Sequence, residues 1–160
     1  MSRRRFNNQK IQHYLDSLPQ ENEFSAAKGC LSVSFRFFDR NQPAGQDFSG
    51  WTEKERLDLL NKIAEYTNNT KSYWLNQRCG SEGLRVLAVY GDFPVNSDFR
   101  WPDTIPKEGV CWARFRLSQK VRTIGFFVDE ETARNYSLST DTFYLVFLDK
   151  YHRFYKTEQE

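Results

Sequence analysis

Cys111-Trp-Ala-Arg-Phe-Arg-Leu117, Val121-Arg-Thr-Ile-Gly-Phe-Phe-Val128 and Phe143-Tyr-Leu-Val-Phe-Leu-Asp-Lys-Tyr-His-Arg-Phe-Tyr155 decide the fold of this chain. Each stretch is rich in aromatic and β-branched residues, which suit a pleated, half-buried surface. The first alternates, with Cys111, Ala113, Phe115 and Leu117 on one side and Trp112, Arg114 and Arg116 on the other. Ser118 to Lys120 form a short polar turn, so the spans 110–118 and 121–128 are expected to be an antiparallel hairpin, with 143–148 a third strand beside it.

Working outward, Leu31-Ser-Val-Ser-Phe-Arg-Phe37 alternates, which predicts a strand over 31–38 with Leu31, Val33, Phe35 and Phe37 inward. Pro43, Gly45 and Gly50 mark a loop. Thr52-Glu-Lys-Glu55 is a capping box opening a helix over 53–66, whose Leu57, Leu60, Ile63 and Ala64 recur at helical spacing. A second helix is expected over 72–78 and a strand over 84–89. Residues 90–109 hold three prolines and read as a long loop of the kind that often lies over a site. The acidic segment 129–141 reads as helix or loop. The resulting order implies an α+β fold, an antiparallel sheet with two or three helices packed on one face. Residues 1–30 are expected to form a helical extension, with Ile11, Tyr14, Leu15 and Leu18 at helical spacing before Pro19, and residues 31–160 a single domain.

Composition narrows the function classes. A net charge of +2 is too small to argue for nucleic acid by itself, so the distribution of charge must do so. The three cysteines, Cys30, Cys79 and Cys111, have neither metal-ligand nor disulfide-framework spacing and read as free thiols. There is no secretory h-region after Arg3 to Arg5 and no apolar run of about 20 residues, so a cytoplasmic protein without membrane contact is expected. No phosphate-binding glycine loop or His/Cys metal cluster is present in the sequence, and no cofactor is expected.

The residues that carry chemistry gather near the C-terminus. Arg114 and Arg116, two positions apart beside Trp112, suit a phosphate with a base stacked next to it, and Arg122 joins them across the turn. His152 follows the last strand and titrates near neutral pH, as a general acid or base must. Tyr155 is placed to orient a phosphate or assist proton transfer, and Asp149 to hold the imidazole tautomer. The same residues also fit a solvated, ion-paired strand face and a surface turn. His13 reads as structural.

On Arg114-Phe-Arg116, Val121-Arg-Thr-Ile-Gly125 and Asp149-Lys-Tyr-His-Arg-Phe-Tyr155, the chain resembles the RelE/ParE superfamily of small bacterial toxins over about residues 31–155. That resemblance implies a first strand, two helices and a curled antiparallel sheet. It also implies metal-independent cleavage of messenger RNA by 2′-OH attack, often on the ribosome, and a protein antitoxin as partner. His152, Arg116 and Tyr155 would be catalytic, with Arg114, Arg122 and Trp112 holding RNA. The chain departs from the family in its length, its N-terminal segment, the 90–109 loop, and the Arg153-Phe154 pair between His152 and Tyr155. A module of the same fold that binds RNA or protein without cleaving is the alternative.

Overall fold

The computed structural model describes residues 29–118 and 120–156, so the expected N-terminal helix and His13 lie outside the described residues. Five strands form one mixed sheet: β1 (Ser32–Ser34), β4 (Leu87–Gly91), β5 (Val110–Arg116), β6 (Arg122–Val128) and β7 (Thr142–Asp149), in the order β1-β7-β6-β5-β4. Two short strands, β2 (Arg78–Cys79) and β3 (Leu84–Arg85), make a separate hairpin. The helices are α1 (Glu53–Tyr66), α2 (Lys71–Asn76) and α3 (Glu130–Tyr136). The fold is α+β and the sheet does not close on itself.

The three decisive stretches are neighbouring antiparallel strands. Arg116 pairs with Arg122 at the hairpin end, and Arg122 pairs with Asp149 on its other side. The pairing of β6 with β7 shifts register between Ile124 and Gly125. A Cβ at Gly125 would collide with the Tyr144 carbonyl oxygen, so only glycine lets the two backbones meet there.

Three expectations need correction. The first strand is three residues long and pairs parallel with β7, from Ser32 beside Thr142 to Ser34 beside Tyr144, so the sheet is mixed and not antiparallel throughout. The long stretch of chain between β1 and β7 permits that pairing, since parallel strands need a long crossover. Beyond Ser34 the chain turns away, and Phe35 is exposed, with its ring edge-on to Phe38 and Phe48.

The capping box and the bounds of α1 agree with expectation: the Thr52 hydroxyl accepts the Glu55 amide, and Glu55 Oε2 accepts the Thr52 amide at 2.8 Å. Its buried face does not agree. Leu59 and Tyr66 are buried and Ile63 packs with them, while Leu57 and Leu60 are 56 % and 61 % exposed. Arg56 donates to the carbonyls of Phe48 and Trp51, which ties that flank of the helix to the loop before it.

The third correction concerns the layers. Helices α1 and α2 cover one face through Leu59, Tyr66 and Trp74, packed on Ala113, Phe115, Phe127 and Leu145. The other face is not open. Phe99 and Ile105 from the long loop, Phe154 from the C-terminal segment and Phe37 pack on Trp112, Ile124, Phe126 and Phe147. Helix α3 contributes Ala133 to this second core, so the helices are divided between the faces.

Candidate functional site

Period-two geometry and register place five polar side chains on the second face of the sheet at one end. Arg114 and Arg116 project from β5 on the side of Trp112, and Arg122 projects from β6 on the side of Ile124 and Phe126. Asp149 comes from β7 opposite Arg122, and Tyr90 from β4 joins the same core. Tyr90 lies at a β-bulge between Val89 and Gly91, with Gly91 at φ 82°.

These arginines are not a solvated fringe. Arg122 is 4 % exposed and Arg114 9 %, whereas Arg116 is half-buried and the most accessible of the three. Arg114 Nη1 donates to the Arg85 carbonyl at 3.1 Å and the Arg116 Nε donates to the same oxygen at 3.4 Å. The Tyr90 phenol lies within electrostatic reach of Arg114. The guanidinium of Arg122 is held down to about 10 by burial first, then by Arg116 and Arg114. Asp149 and Tyr90 oppose that shift without cancelling it. Three cations and one carboxylate sharing a desolvated corner leave a net positive field.

The C-terminal turn brings in the remaining groups. Asp149, 2 % exposed, accepts the backbone amides of Arg153 and Phe154, both at 2.9 Å, and so folds the chain back over the sheet end. This replaces the expected role of Asp149 as orienter of the imidazole: its oxygens build the turn. His152 sits in that turn at φ 62°, a left-handed conformation that few non-glycine residues adopt. Phe154 is buried in the second core, and Tyr155 lies flat on Tyr90 with centroids 4.8 Å apart and planes 4° apart. Asp98 of the long loop anchors the segment through Lys156 at 2.5 Å, and its backbone amide donates to the Arg153 carbonyl at 3.1 Å.

His152 is therefore close enough to the arginines to feel them. His152 is exposed in the turn, and partial burial of its ring lowers its pKa below the ordinary value of 6.5, with Arg122, Arg114 and Arg116 lowering it further and Asp149 opposing. Burial raises the Tyr90 phenol, with Arg114 opposing.

Of the six site residues expected from sequence, five gather here: Arg114, Arg116, Arg122, His152 and Tyr155. Trp112 does not. Its ring is fully buried and packed among Phe93, Trp101, Phe126, Phe147 and Phe154, so no base can stack on it. Alternation assigned its side correctly, but the loop that covers that side comes from 90–109. Tyr90 is the residue that sequence reasoning missed. Its position at the end of Leu-Arg-Val-Leu-Ala-Val-Tyr90 was a signal for an edge strand ending at the same corner.

Among the described residues no cluster of His, Cys, Asp and Glu could hold a metal ion, and no helix is long and apolar enough to cross a membrane. Comparison with protein-family models, curated proteins and solved structures finds no match to this chain. The site is thus a folded cationic corner that carries an imidazole and two stacked phenols, and it suits an anion.

Proposed function

We propose that this corner binds the phosphodiester backbone of RNA and cleaves it without a metal ion, as an endoribonuclease of RelE-like type. The observation that carries the reading is the convergence of Arg114, Arg116, Arg122 and His152, from two neighbouring strands and a turn, on one end of one sheet face. The order of elements supports it as well: a first strand, two helices, then an antiparallel meander. Three guanidinium groups repel a divalent cation and attract a phosphate, so charge stabilisation falls to the arginines.

The chemistry follows from the field at His152. In the free protein the arginines favour the neutral imidazole at pH 7. A bound phosphodiester offsets part of that field and lets His152 take up a proton. The ribose 2′ oxygen attacks the adjacent phosphorus and loses its proton to solvent. Arg116, with Arg114 and Arg122 behind it, stabilises the added charge on the phosphoryl oxygens. His152, assisted by Tyr155, protonates the 5′ oxygen as the P–O5′ bond breaks, leaving a 2′,3′-cyclic phosphate and a 5′ hydroxyl.

Incubating the protein with end-labelled single-stranded RNA, with and without ribosomes, tests this. Products ending in 2′,3′-cyclic phosphate are expected, and none from an oligonucleotide whose riboses are all 2′-O-methylated. Salt-sensitive binding with intact RNA under every condition would overturn cleavage and favour a binding module that uses the same arginines.

A further inference from the structure

A pocket of about 410 Å³ opens beside the arginine corner, between the C-terminal end of α1, helix α2, the β2–β3 hairpin and the end of β5. Its floor is aromatic: Tyr66 and Trp74 are buried, and Tyr73, edge-on to Trp74 at 4.9 Å, stands exposed at its wall. Its rim carries Arg78 and Arg116, together with Glu65, whose carboxylate is paired with Lys62 at 2.7 Å. The local structure is firm. The Trp74 Nε1 donates to the Tyr66 carbonyl at 2.7 Å, and the Tyr66 hydroxyl donates to the Arg116 carbonyl at 2.7 Å. The pocket floor is thereby fixed to the same residue that carries the most accessible guanidinium of the arginine corner.

Ligand pockets of this size are typically lined by aromatic and apolar groups with a few polar ones, and a nucleobase fits within 410 Å³. Arg116 lines the pocket and belongs to the corner, so a phosphate on Arg116 would have its nucleoside within reach of the pocket. A duplex base, paired and stacked, cannot enter a cleft of this kind, whereas an unstacked base can.

We propose that this pocket receives the base of a nucleotide flanking the phosphate held at Arg116, and that it makes the site take single-stranded RNA. The proposal rests on the RNA reading above and adds a base subsite on the α1–α2 side of the sheet, away from Tyr90 and Tyr155. Tyr73 supplies the exposed ring for stacking, and Arg78 and Arg116 bracket the backbone on either side.

Cys79 lines the same pocket and serves as a reporter, while Cys30 and Cys111 do not line it. The experiment uses the full chain with a short, fully 2′-O-methylated single-stranded oligonucleotide. Binding is followed by fluorescence anisotropy, and alkylation of each cysteine by mass spectrometry. Saturating oligonucleotide is expected to slow alkylation of Cys79 about tenfold or more and to leave Cys30 and Cys111 unchanged. Tyr73→Ala is expected to weaken binding about tenfold, the scale of one stacked base. The same oligonucleotide annealed to its complement is expected to give no protection. If binding depends on Arg116 but Cys79 labels at its free rate and Tyr73→Ala binds normally, the base pocket is wrong and the RNA reading stands. If Arg116→Ala binds as tightly as the parent, the RNA reading fails and takes the pocket with it.

Discussion

The second face of the sheet has two ends built from the same strands and opposite chemistry. At one end Trp112, Phe126, Phe147 and Phe154 interlock, with Trp112 and Phe147 stacked at 5.8 Å and 7°. At the other, two to four residues further along β5 and β6, Arg114, Arg116 and Arg122 occupy positions of the same pleat. Burial is similarly deep for Arg122 and for the aromatics, so depth alone does not separate them. What separates them is cost. The aromatic end gains from leaving water, whereas the cationic end loses solvation and gains mutual repulsion, which holds Arg122 down at about 10. A fold that keeps such a corner is expected to recover the cost when an anion arrives.

The largest stability effect belongs to the aromatic end. Trp112→Ala is expected to cost about 3–5 kcal/mol in urea unfolding, the range for truncating a buried aromatic. A loss below about 1 kcal/mol would mean the end is loosely packed and would break the contrast. Asp149→Ala comes next. It strips the acceptor from one buried and one part-buried backbone amide, and about 1–3 kcal/mol is expected, together with a displaced His152 resonance. If Asp149→Ala leaves that resonance unmoved, the turn is held by other contacts.

Arg116→Ala sharpens the comparison from the other side. Stability should change by less than about 1 kcal/mol, because the side chain is half-buried in a repulsive cluster, while RNA binding falls and its salt slope becomes shallower. Smallest in energy, and informative in sign, is the titration of His152. Its folded pKa lies below the unfolded 6.5, so the unfolded chain binds the proton more readily. This contribution makes stability fall as pH drops from above 6.5 toward the folded pKa, and it levels off below that. A non-cleavable oligonucleotide should raise the His152 pKa, read from its imidazole proton shifts. A bound pKa equal to or below the free one would contradict the proposed acid.

Much of this architecture was legible from local signals. The capping box at Thr52 and Glu55 and the alternation in 111–117 are set by neighbours in sequence, and both appear in the structure as expected. The placement of His152 near the arginines followed from β7 pairing with β6. What was not legible depends on contacts distant in sequence. Alternation told which side Trp112 takes but not that Phe93, Phe99 and Trp101 would cover it. The two overlapping apolar stripes of α1, Leu57 with Leu60 and Leu59 with Ile63, are nearly equivalent as sequence. The choice was made by Tyr66, whose ring stacks on Phe115 at 4.1 Å and whose hydroxyl reaches the Arg116 carbonyl. The parallel entry of β1 beside β7 pairs residues 110 positions apart, as in Ser32 and Thr142, and no local pattern encodes it.

The most direct test is single-turnover cleavage of end-labelled single-stranded RNA by the parent protein and by His152→Ala at equal, saturating protein. The parent is expected to cleave, and the variant to be slower by about 10²–10⁴-fold, the usual worth of a positioned acid or base, with RNA affinity little changed because the arginines remain. A variant that cleaves at the parental rate, or a parent that leaves the RNA intact with and without ribosomes, would contradict the account.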